Sequence, residues 1–417
     1  MHLRALIIFL CVGLATTGLA DSQWNAAQIE ASRVVQETGT ETDAPNWLAD
    51  PANLLLIEAG VPPSLHLLDG RSFEVFGRID PGFALQGQPV ADPDGRYLFR
   101  LSSDGWVQKI DLRTLSEVVR VRAGLISRNM AFSHDGKWLA VANDAPNTLT
   151  ILSASDLSVA KVHQVVDKHD TPSGVVAVAT RPTQESFVLT LSDVYEIHEV
   201  FYGPNPPFYG FVHDYRIEGP PDETEAFPMR YITVPELLGD FQFDPSFEYV
   251  MAAVQNGPGA AVVDLVIGHK IAAPEMPGVP DWASAVTWQQ GDQGVTAVPH
   301  LAGSGVSVMD LKTWKVIRHI TTDAPVVAMQ SHDNLPVIWV IAGDTVQVID
   351  KQTFDTLKTF RPLPGAMPSE MIFTRDGAHA LITFAEADVV IVLDTKTLAL
   401  VRRLKMSRPS LIYGIGR

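Results

Sequence analysis

The sequence almost lacks cysteine: of its 417 residues only Cys11 is one, and it lies in an apolar stretch near the N terminus. Disulfides, cysteine-ligated metal and a Cys-x-x-Cys-His haem attachment all need further cysteines, so this sequence excludes them. Residues 1–20 combine Arg4 with an apolar core and small residues before Asp21, which predicts a cleaved secretory signal peptide. We therefore expect a periplasmic protein with no permanent membrane span, because that apolar core is too short to cross a bilayer.

Basic residues are also few. The 31 Lys and Arg residues stand against 48 Asp and Glu, which gives a formal net charge of −17. Phosphate contacts need clustered Lys and Arg, so we predict no nucleic-acid partner. Long amphipathic helical runs are missing as well, which excludes a helical solenoid.

Common catalytic and metal-binding motifs are absent too. The sequence has no Gly-x-Ser-x-Gly elbow, His-Glu-x-x-His pair, phosphate loop or EF-hand pattern, and we predict no metal site. Histidines are frequent in the middle of the chain, at His163, His169, His198 and His213. Their spacing matches no known metal site, so we expect separate surface residues.

What the sequence does contain is a repeat of four short strands, clearest in residues 371–405. A Thr-Arg-Asp-Gly turn separates the first two strands there, and Asp394 ends the third, rich in β-branched residues. Six aspartates and one serine recur at the end of that third strand: Asp69, Asp111, Ser153, Asp264, Asp310, Asp350 and Asp394. The neighbouring intervals are 42, 42, 46, 40 and 44 residues, and the longer gap after Ser153 holds two units if one carries an insertion. This period is typical of a β-propeller blade.

We therefore predict an all-β fold, an eight-bladed β-propeller of four-stranded blades, over residues 54–417. Residues 21–53 form an N-terminal linker segment with a short helix over 26–36. The aromatic-rich insertion 203–228 in blade 4 is a lid, a docking arm or an extended hairpin packed on its neighbour. The apolar run near the C terminus is expected to close the ring beside residues 53–57.

Four segments resemble a known family: residues 81–112, 124–143, 237–253 and 295–314. They are similar to the eight-bladed haem d1 domain of cytochrome cd1 nitrite reductase and to the NirF-type proteins of periplasmic haem d1 biosynthesis. The resemblance runs from about residue 54 to the end. It implies haem d1 or a precursor as the cofactor.

Departures from the family pattern are as informative as the matches. The family's second-blade motif has a histidine that serves as axial iron ligand, whereas this chain has Gln86 at the matching position, and an amide is a poor iron ligand. The two histidines that flank the substrate in the reductase would fall near Leu238–Asp240 and at Met276. Both are absent, so nitrite reduction is not expected. The thioether of Met276 is either an alternative iron ligand or a packing group.

The remaining resemblance suggests a pocket at the mouth of the channel. Arg128 precedes the third blade's first strand, where the family uses an arginine toward the tetrapyrrole's carboxylates; its alternative role is to hold loop carbonyls. His300, with Trp282, belongs to loops that open on the same face. The predicted cofactor-binding residues are Gln86, Arg128, Met276, Trp282 and His300. His300 is the catalytic candidate, and a structural histidine is the alternative.

Three functions follow as hypotheses. The first is a tetrapyrrole-binding propeller with an accessory or biosynthetic role in denitrification, whose candidate partner is a periplasmic redox or biosynthesis protein. The second is an enzyme that dehydrogenates a haem d1 precursor, with His300 as acid or base. The third is a YncE-like interaction scaffold without a haem pocket.

Overall fold

The computed structural model describes residues 24–36, 47, 49–80, 86–206, 226–255, 257–301 and 303–415. These residues form eight antiparallel sheets that follow one another along the chain, seven of four strands and one of five. The predicted eight-bladed β-propeller is therefore confirmed. Among the described residues no helix is long and apolar enough to cross a membrane.

Within the blades the strands follow chain order from the channel to the rim, except that the last strand of the chain lies innermost in blade 1 and the first lies outermost in blade 2. The strands of blades 1 to 4 are β2 (Leu54–Ala59), β3 (Ser64–Asp69), β4 (Val75–Ile79), β5 (Val90–Ala91), β6 (Tyr97–Leu101), β7 (Trp106–Asp111), β8 (Ser116–Arg122), β9 (Ile126–Phe132), β10 (Trp138–Ala145), β11 (Thr148–Ser153), β12 (Val159–Gln164), β13 (Val175–Arg181), β14 (Ser186–Leu191), β15 (Glu196–Phe201) and β16 (Met229–Thr233). The strands of blades 5 to 8 are β17 (Leu238–Phe243), β18 (Tyr249–Val254), β19 (Ala260–Asp264), β20 (His269–Ala272), β21 (Val286–Gln290), β22 (Gln293–Pro299), β23 (Val306–Asp310), β24 (Val316–Ile320), β25 (Val326–Ser331), β26 (Val337–Ala342), β27 (Thr345–Asp350), β28 (Thr356–Phe360), β29 (Glu370–Phe373), β30 (His379–Phe384), β31 (Val389–Asp394) and β32 (Leu400–Lys405).

The ring closes through the last strand, β33 (Ile412–Gly414), which is the innermost strand of blade 1. It pairs antiparallel with β2, placing Tyr413 opposite Leu56 and Ile412 opposite Ile57. This pairing confirms the predicted return of the C-terminal apolar run. It also covers an edge that would otherwise carry unpaired backbone groups.

The core lies between neighbouring blades, which explains why the middle strands are apolar on both faces. On β31, Val390 and Val392 pack with residues of blade 1, whereas Ile391 packs with residues of blade 7, and all three are fully buried. Each such side chain contributes roughly 1.5–3 kcal/mol relative to an exposed one.

The side of the ring where third strands turn into fourth strands is the turn face. In seven blades the third strand ends on one of the repeated aspartates or on Ser153, and the fourth residue after it has positive φ. At Asp310 the carboxylate accepts hydrogen bonds from the backbone N–H groups of Lys312 and Thr313 at 3.0 and 2.5 Å. Trp314, with φ of 59°, donates its N–H to the carbonyl of Asp310. The aspartate thus specifies the turn that the sequence repeats.

In blade 4 the insertion interrupts the same turn. Phe201 donates its N–H to the carbonyl of Pro228, and Phe227 has the positive φ, 61°, seen at the fourth turn residue elsewhere. Both ends of the insertion therefore lie on the turn face, opposite the loops that join second to third strands. Residues 207–225, on which the proposals of a lid, an arm or a hairpin depend, lie outside the described residues.

The N-terminal segment docks on the rim of blades 2 and 3. Helix α1 (Ala26–Ala31) starts with a capping box on Asn25, and Ile29 is buried against both blades. The helix predicted over 26–36 is shorter in the structure and ends at Ala31. Beyond it, β1 (Val34–Val35) pairs with β8 and adds a fifth strand to blade 2. The proposed signal peptide, residues 1–20, and most of residues 37–48 lie outside the described residues. Short 3₁₀ helices cover Pro51–Asn53, Pro182–Gln184 and Ala385–Ala387.

Candidate functional site

A cavity of 840 Å³ opens where second strands turn into third strands and each blade leads into the next. We call this side the mouth face. Blades 2 to 6 contribute the described residues that line the cavity: Gln86, Gly87, Gln88, Pro89, Val90, Arg128, Asn129, Met130, Asp144, Val175, Val176, Ser192, Asp240, Gln255 and Ala283. A set drawn from so many blades marks the mouth of the central channel.

Two charged lining residues, Arg128 and Asp240, sit on bulges of the innermost strands. On β9, Ser127 pairs with Asn143 and Met130 pairs with Val141, so two residues of β9 stand opposite one of β10. On β17 the register shifts in the same way between Leu238 and Phe241. A bulge leaves its extra residue out of the ladder and re-aims its side chain. Here both bulges present a charged group to the cavity.

Asn143 anchors the bulge that carries Arg128. Its fully buried side-chain amide donates to the hydroxyls of Thr148 and Thr150 at 3.0 and 3.1 Å. Its oxygen accepts from the Ser127 hydroxyl at 2.6 Å. A Cβ on Gly124 would lie 2.2 Å from that oxygen, so only glycine fits beside it. The position of Arg128 thus depends on a satisfied buried network.

Arg128 already has a partner. Its Nη2 lies 2.5 Å from Oδ2 of Asp144, with side chains 53% and 32% exposed. The alternative predicted for Arg128 was that it holds loop carbonyls. In the structure its partner is instead the carboxylate of Asp144. A guanidinium with this exposure keeps donors free for a second carboxylate.

Asp240 has no hydrogen bond or ion pair with any described residue, although it lines the cavity. Asp240 is exposed to solvent within the cavity, yet desolvation by the surrounding walls raises the pKa of its carboxyl above the ordinary value. The charge of Asp281 adds to the rise, whereas Arg128 opposes it. The pKa of Glu370 is raised for the same two reasons, burial first and then Asp281, against a backbone hydrogen bond from Met371. The mouth therefore contains acids that bind protons more readily than free carboxyls do.

Gln86 lines the same cavity as Arg128, so the structure brings these two predicted residues together. The backbone N–H of Gln86 donates to the carbonyl of Leu101 at 2.7 Å, which ties it to blade 2. The residues just before it, 81–85, lie outside the described residues. The sequence has no histidine between His66 and His134, so this part of blade 2 offers no imidazole.

The other three predicted residues are buried beside the cavity and are not among its described lining. Met276 and Trp282 are 5% and 1% exposed in an apolar cluster between blades 5 and 6. His300 is 3% exposed, and its Nε2 lies 2.8 Å from the Ser307 hydroxyl. That hydroxyl in turn lies 3.0 Å from Nδ1 of His319. Burial, and then His319, lower the pKa of His300, which favours a neutral ring.

The expectation that the central histidines are surface residues is wrong for two of them. His198 is fully buried, with Nε2 3.1 Å from Oε2 of Glu196, and His163 is 8% exposed. His169 is exposed, and His213 lies outside the described residues. Neighbouring blades cover the faces of these strands, which sequence spacing alone does not show. Within the described ranges, no group of three or more His, Cys, Asp or Glu residues is arranged to hold a metal ion.

Sequence reasoning missed Asp144, Asp240 and Asn143. For Asp240 a signal was available, because the family resemblance places a reductase histidine in the stretch Leu238–Asp240. A carboxylate in that stretch is therefore a candidate for the same site. Asn143 and Asp144 stand together at the end of a strand that leads to the mouth, where polar residues break an apolar run. That interruption was the available signal.

Comparison with known proteins agrees with this architecture. Residues 49–417 match the family model described as cytochrome D1 heme domain. The chain is 35% identical over 403 residues to the dihydro-heme d1 dehydrogenase of Pseudomonas aeruginosa, which covers 95% of this chain and 78% of that protein. It is 28% identical over 373 residues to protein NirF of the same organism, covering 84% of this chain and 88% of NirF.

A solved structure is similar as well. Dihydro-heme d1 dehydrogenase NirN in complex with DHE superposes with a TM-score of 0.86 at 35% identity, covering 94% of this chain and 82% of that one. The resemblance found in the sequence is confirmed, and so is the predicted cofactor class, haem d1 or a precursor, at the level of the family. The chain belongs to the cytochrome d1 haem domain family.

Proposed function

We propose that this protein binds haem d1 or a precursor in the cavity at the channel mouth and acts in haem d1 biosynthesis, as an enzyme of the dihydro-haem d1 dehydrogenase type. The observation that carries the proposal is the 840 Å³ cavity with Arg128 on its wall, in a chain 35% identical to that dehydrogenase over 95% of its length. The signal peptide predicted for residues 1–20 supports the periplasm as its location.

The residues present fit a tetrapyrrole in size and charge. Pockets for small organic ligands measure about 300–1,000 Å³, and this cavity lies within that range. Arg128 offers a guanidinium to a ligand carboxylate, and such charge-assisted contacts contribute about 1.5–3 kcal/mol.

The described lining residues do not offer the axial histidine that the family uses as an iron ligand. Gln86 is the polar side chain at the position where the family has its axial histidine, and no histidine is among the described lining residues. Ferric haem loaded into the protein should therefore give an electron paramagnetic resonance spectrum without imidazole ligation. Tight imidazole ligation, from a histidine of any blade, would contradict this assignment.

When bound, an iron tetrapyrrole supplies a redox-active conjugated macrocycle, and the chain's own residues bind and orient it. Arg128, held by Asp144, fixes a carboxylate at one wall. Dehydrogenation removes two electrons and two protons, so an external oxidant must accept both electrons, for example two equivalents of an oxidised one-electron carrier, while the protons pass to water. A periplasmic redox protein is the class of partner that meets this need.

The test is anaerobic incubation of purified protein with dihydro-haem d1 and ferricyanide as acceptor, followed by absorption spectroscopy. The expected result is conversion to the spectrum of haem d1, slowed in Arg128→Ala and unchanged in Arg318→Ala, an arginine on the rim. Binding without conversion would favour the carrier role suggested by the likeness to NirF. Absence of both would favour the YncE-like scaffold.

A further inference from the structure

The most informative unused group on the mouth face is the carboxyl of Asp240. Several other lining groups that could bind a ligand are occupied: Gln255 donates to the carbonyls of Leu191 and Leu238 at 2.9 and 2.7 Å. The Ser192 hydroxyl donates to Asp193, and Asp144 holds Arg128. Asp240 alone among the titratable lining residues has no partner in the described part of the chain. Its hydrogen-bonding capacity is available to whatever enters the cavity.

The charges around Asp240 decide how it meets an anion. Arg128 on β9 and Asp144 on β10 line the same cavity, and the charges of Asp281, before β21, and of Arg128 act on its carboxyl. Two of these three groups are carboxyls, and the guanidinium is shared with Asp144. When a ligand carboxylate comes within hydrogen-bonding distance of Asp240, the two carboxylates cannot both stay ionised. One proton is therefore retained between them.

We propose that Asp240 binds the ligand as a carboxylic acid, donating a hydrogen bond to a second carboxylate of the tetrapyrrole while Arg128 holds the first, so that binding takes up a proton. This rests on the proposed function, because it assumes that the cavity is the tetrapyrrole site. The raised pKa of free Asp240 means that less free energy is needed to protonate it.

The affinity for the ligand should depend on pH. The bound ligand carboxylate raises the pKa of Asp240 further, so affinity is greatest below its free pKa. Between the free and bound pKa values affinity falls as pH rises, by about tenfold per pH unit for one proton. Asparagine at this position donates the same hydrogen bond without needing a proton, whereas leucine donates none.

The experiment is calorimetric titration of the full chain with haem d1 at pH 7, in phosphate and in Tris, whose ionisation enthalpies differ. Wild type should show net proton uptake. Asp240→Asn should lose the uptake and keep or exceed wild-type affinity at pH 8, while Asp240→Leu should bind about tenfold more weakly than wild type at pH 6. Asp355→Asn, on the rim beside Arg318, is the matched control and should leave uptake unchanged.

Binding by the wild type with no proton uptake would overturn this inference and leave the proposed function standing. Equal loss of affinity in Asp240→Asn and Asp240→Leu would also overturn it, since a purely structural role does not distinguish the two. Failure of the wild type to bind haem d1 at any pH would refute the proposed function itself. Thermal melts confirm that each variant is folded.

Discussion

The two faces of the propeller differ in how far they repeat. On the turn face, seven blades use one five-residue turn with an aspartate or serine at its start and positive φ at its end. On the mouth face the loops differ from blade to blade, and bulges on β9 and β17 present Arg128 and Asp240 to the cavity. The repeat encodes the scaffold, and departures from it encode the candidate site.

Two ion pairs, one from each face, show a similar contrast. Arg181 and Glu199, near the turn face of blade 4, are 1% and 0% exposed and lie 2.9 Å apart. Arg128 and Asp144, on the mouth face, are 53% and 32% exposed. A buried pair fixes structure because water cannot replace a lost partner, whereas an exposed pair can exchange its partner for water at little cost.

The largest effect should come from Glu199→Ala. Glu199 accepts hydrogen bonds from Arg181 and from the Ser186 hydroxyl at 2.9 and 2.7 Å. Its loss leaves the buried guanidinium of Arg181 without its carboxylate partner. We expect the free energy of unfolding to fall by about 3–5 kcal/mol in urea denaturation. Asp355→Ala, which breaks the exposed pair with Arg318, should cost about 0–1 kcal/mol. Equal costs would break the distinction between the two kinds of pair.

Asn143→Ala should have the next largest effect and should act on both stability and binding. It leaves the hydroxyls of Ser127, Thr148 and Thr150 without their shared partner, at a cost of about 2–3 kcal/mol. Because the bulge of β9 rests on this network, haem d1 should also bind more weakly. Asn334→Ala, an exposed asparagine on the turn face, should change neither quantity. Unchanged affinity in Asn143→Ala would show that Arg128 does not depend on the network.

A single turn aspartate should matter less. Asp310→Ala removes the acceptor for Lys312 and Thr313 and should cost about 1–2 kcal/mol at pH 7. Although burial raises the pKa of Asp310, hydrogen bonds from Thr313 and Lys312 bring it below the ordinary value. The stabilisation is therefore present above the unfolded pKa and disappears as pH falls through the folded pKa. Ser153→Ala, at the matching turn of blade 3, should cost less, and a cost independent of pH would contradict this account.

The smallest expected effect is at Glu370 on the mouth face. Burial, and then Asp281, raise its folded pKa above 4.5, so the native state binds this proton more tightly than the unfolded state. Stability contributed by the neutral form is lost as pH rises through the folded pKa. Glu370→Gln should therefore raise the melting temperature at pH 8 and leave it unchanged at pH 4. A lower melting temperature at pH 8 would mean that the ionised form is stabilised.

The sequence predicted the fold well for a physical reason. The turn at Asp310 is a local interaction among neighbouring residues, so each copy of it carries the same short-range signal. The insertion 203–228 was predicted because the turn expected after the third strand of blade 4 is missing from the sequence. Ring closure by Ile412–Gly414 followed from the need to cover an open edge.

The candidate site was less predictable because it depends on contacts distant in sequence. Arg128 and His300 were assigned to one cavity by strand order, and Gln86 was added by the family resemblance; the structure places Gln86 and Arg128 on the cavity lining. His300 follows the same strand order, yet its side chain lies against Ser307 inside blade 6, since strand order fixes the face and not the direction of a side chain. Asp240 depends on a bulge, which no local pattern in the sequence indicates.

The measurement that tests the account most directly is the affinity of haem d1 for Arg128→Ala beside Arg318→Ala. The two arginines are equally exposed, at 53% and 51%, and each is paired with one aspartate. If the mouth cavity is the tetrapyrrole site, Arg128→Ala should weaken binding about tenfold or more, as expected for a lost charge-assisted contact, and Arg318→Ala should bind like the wild type. Wild-type affinity in a folded Arg128→Ala would contradict the assignment of this cavity.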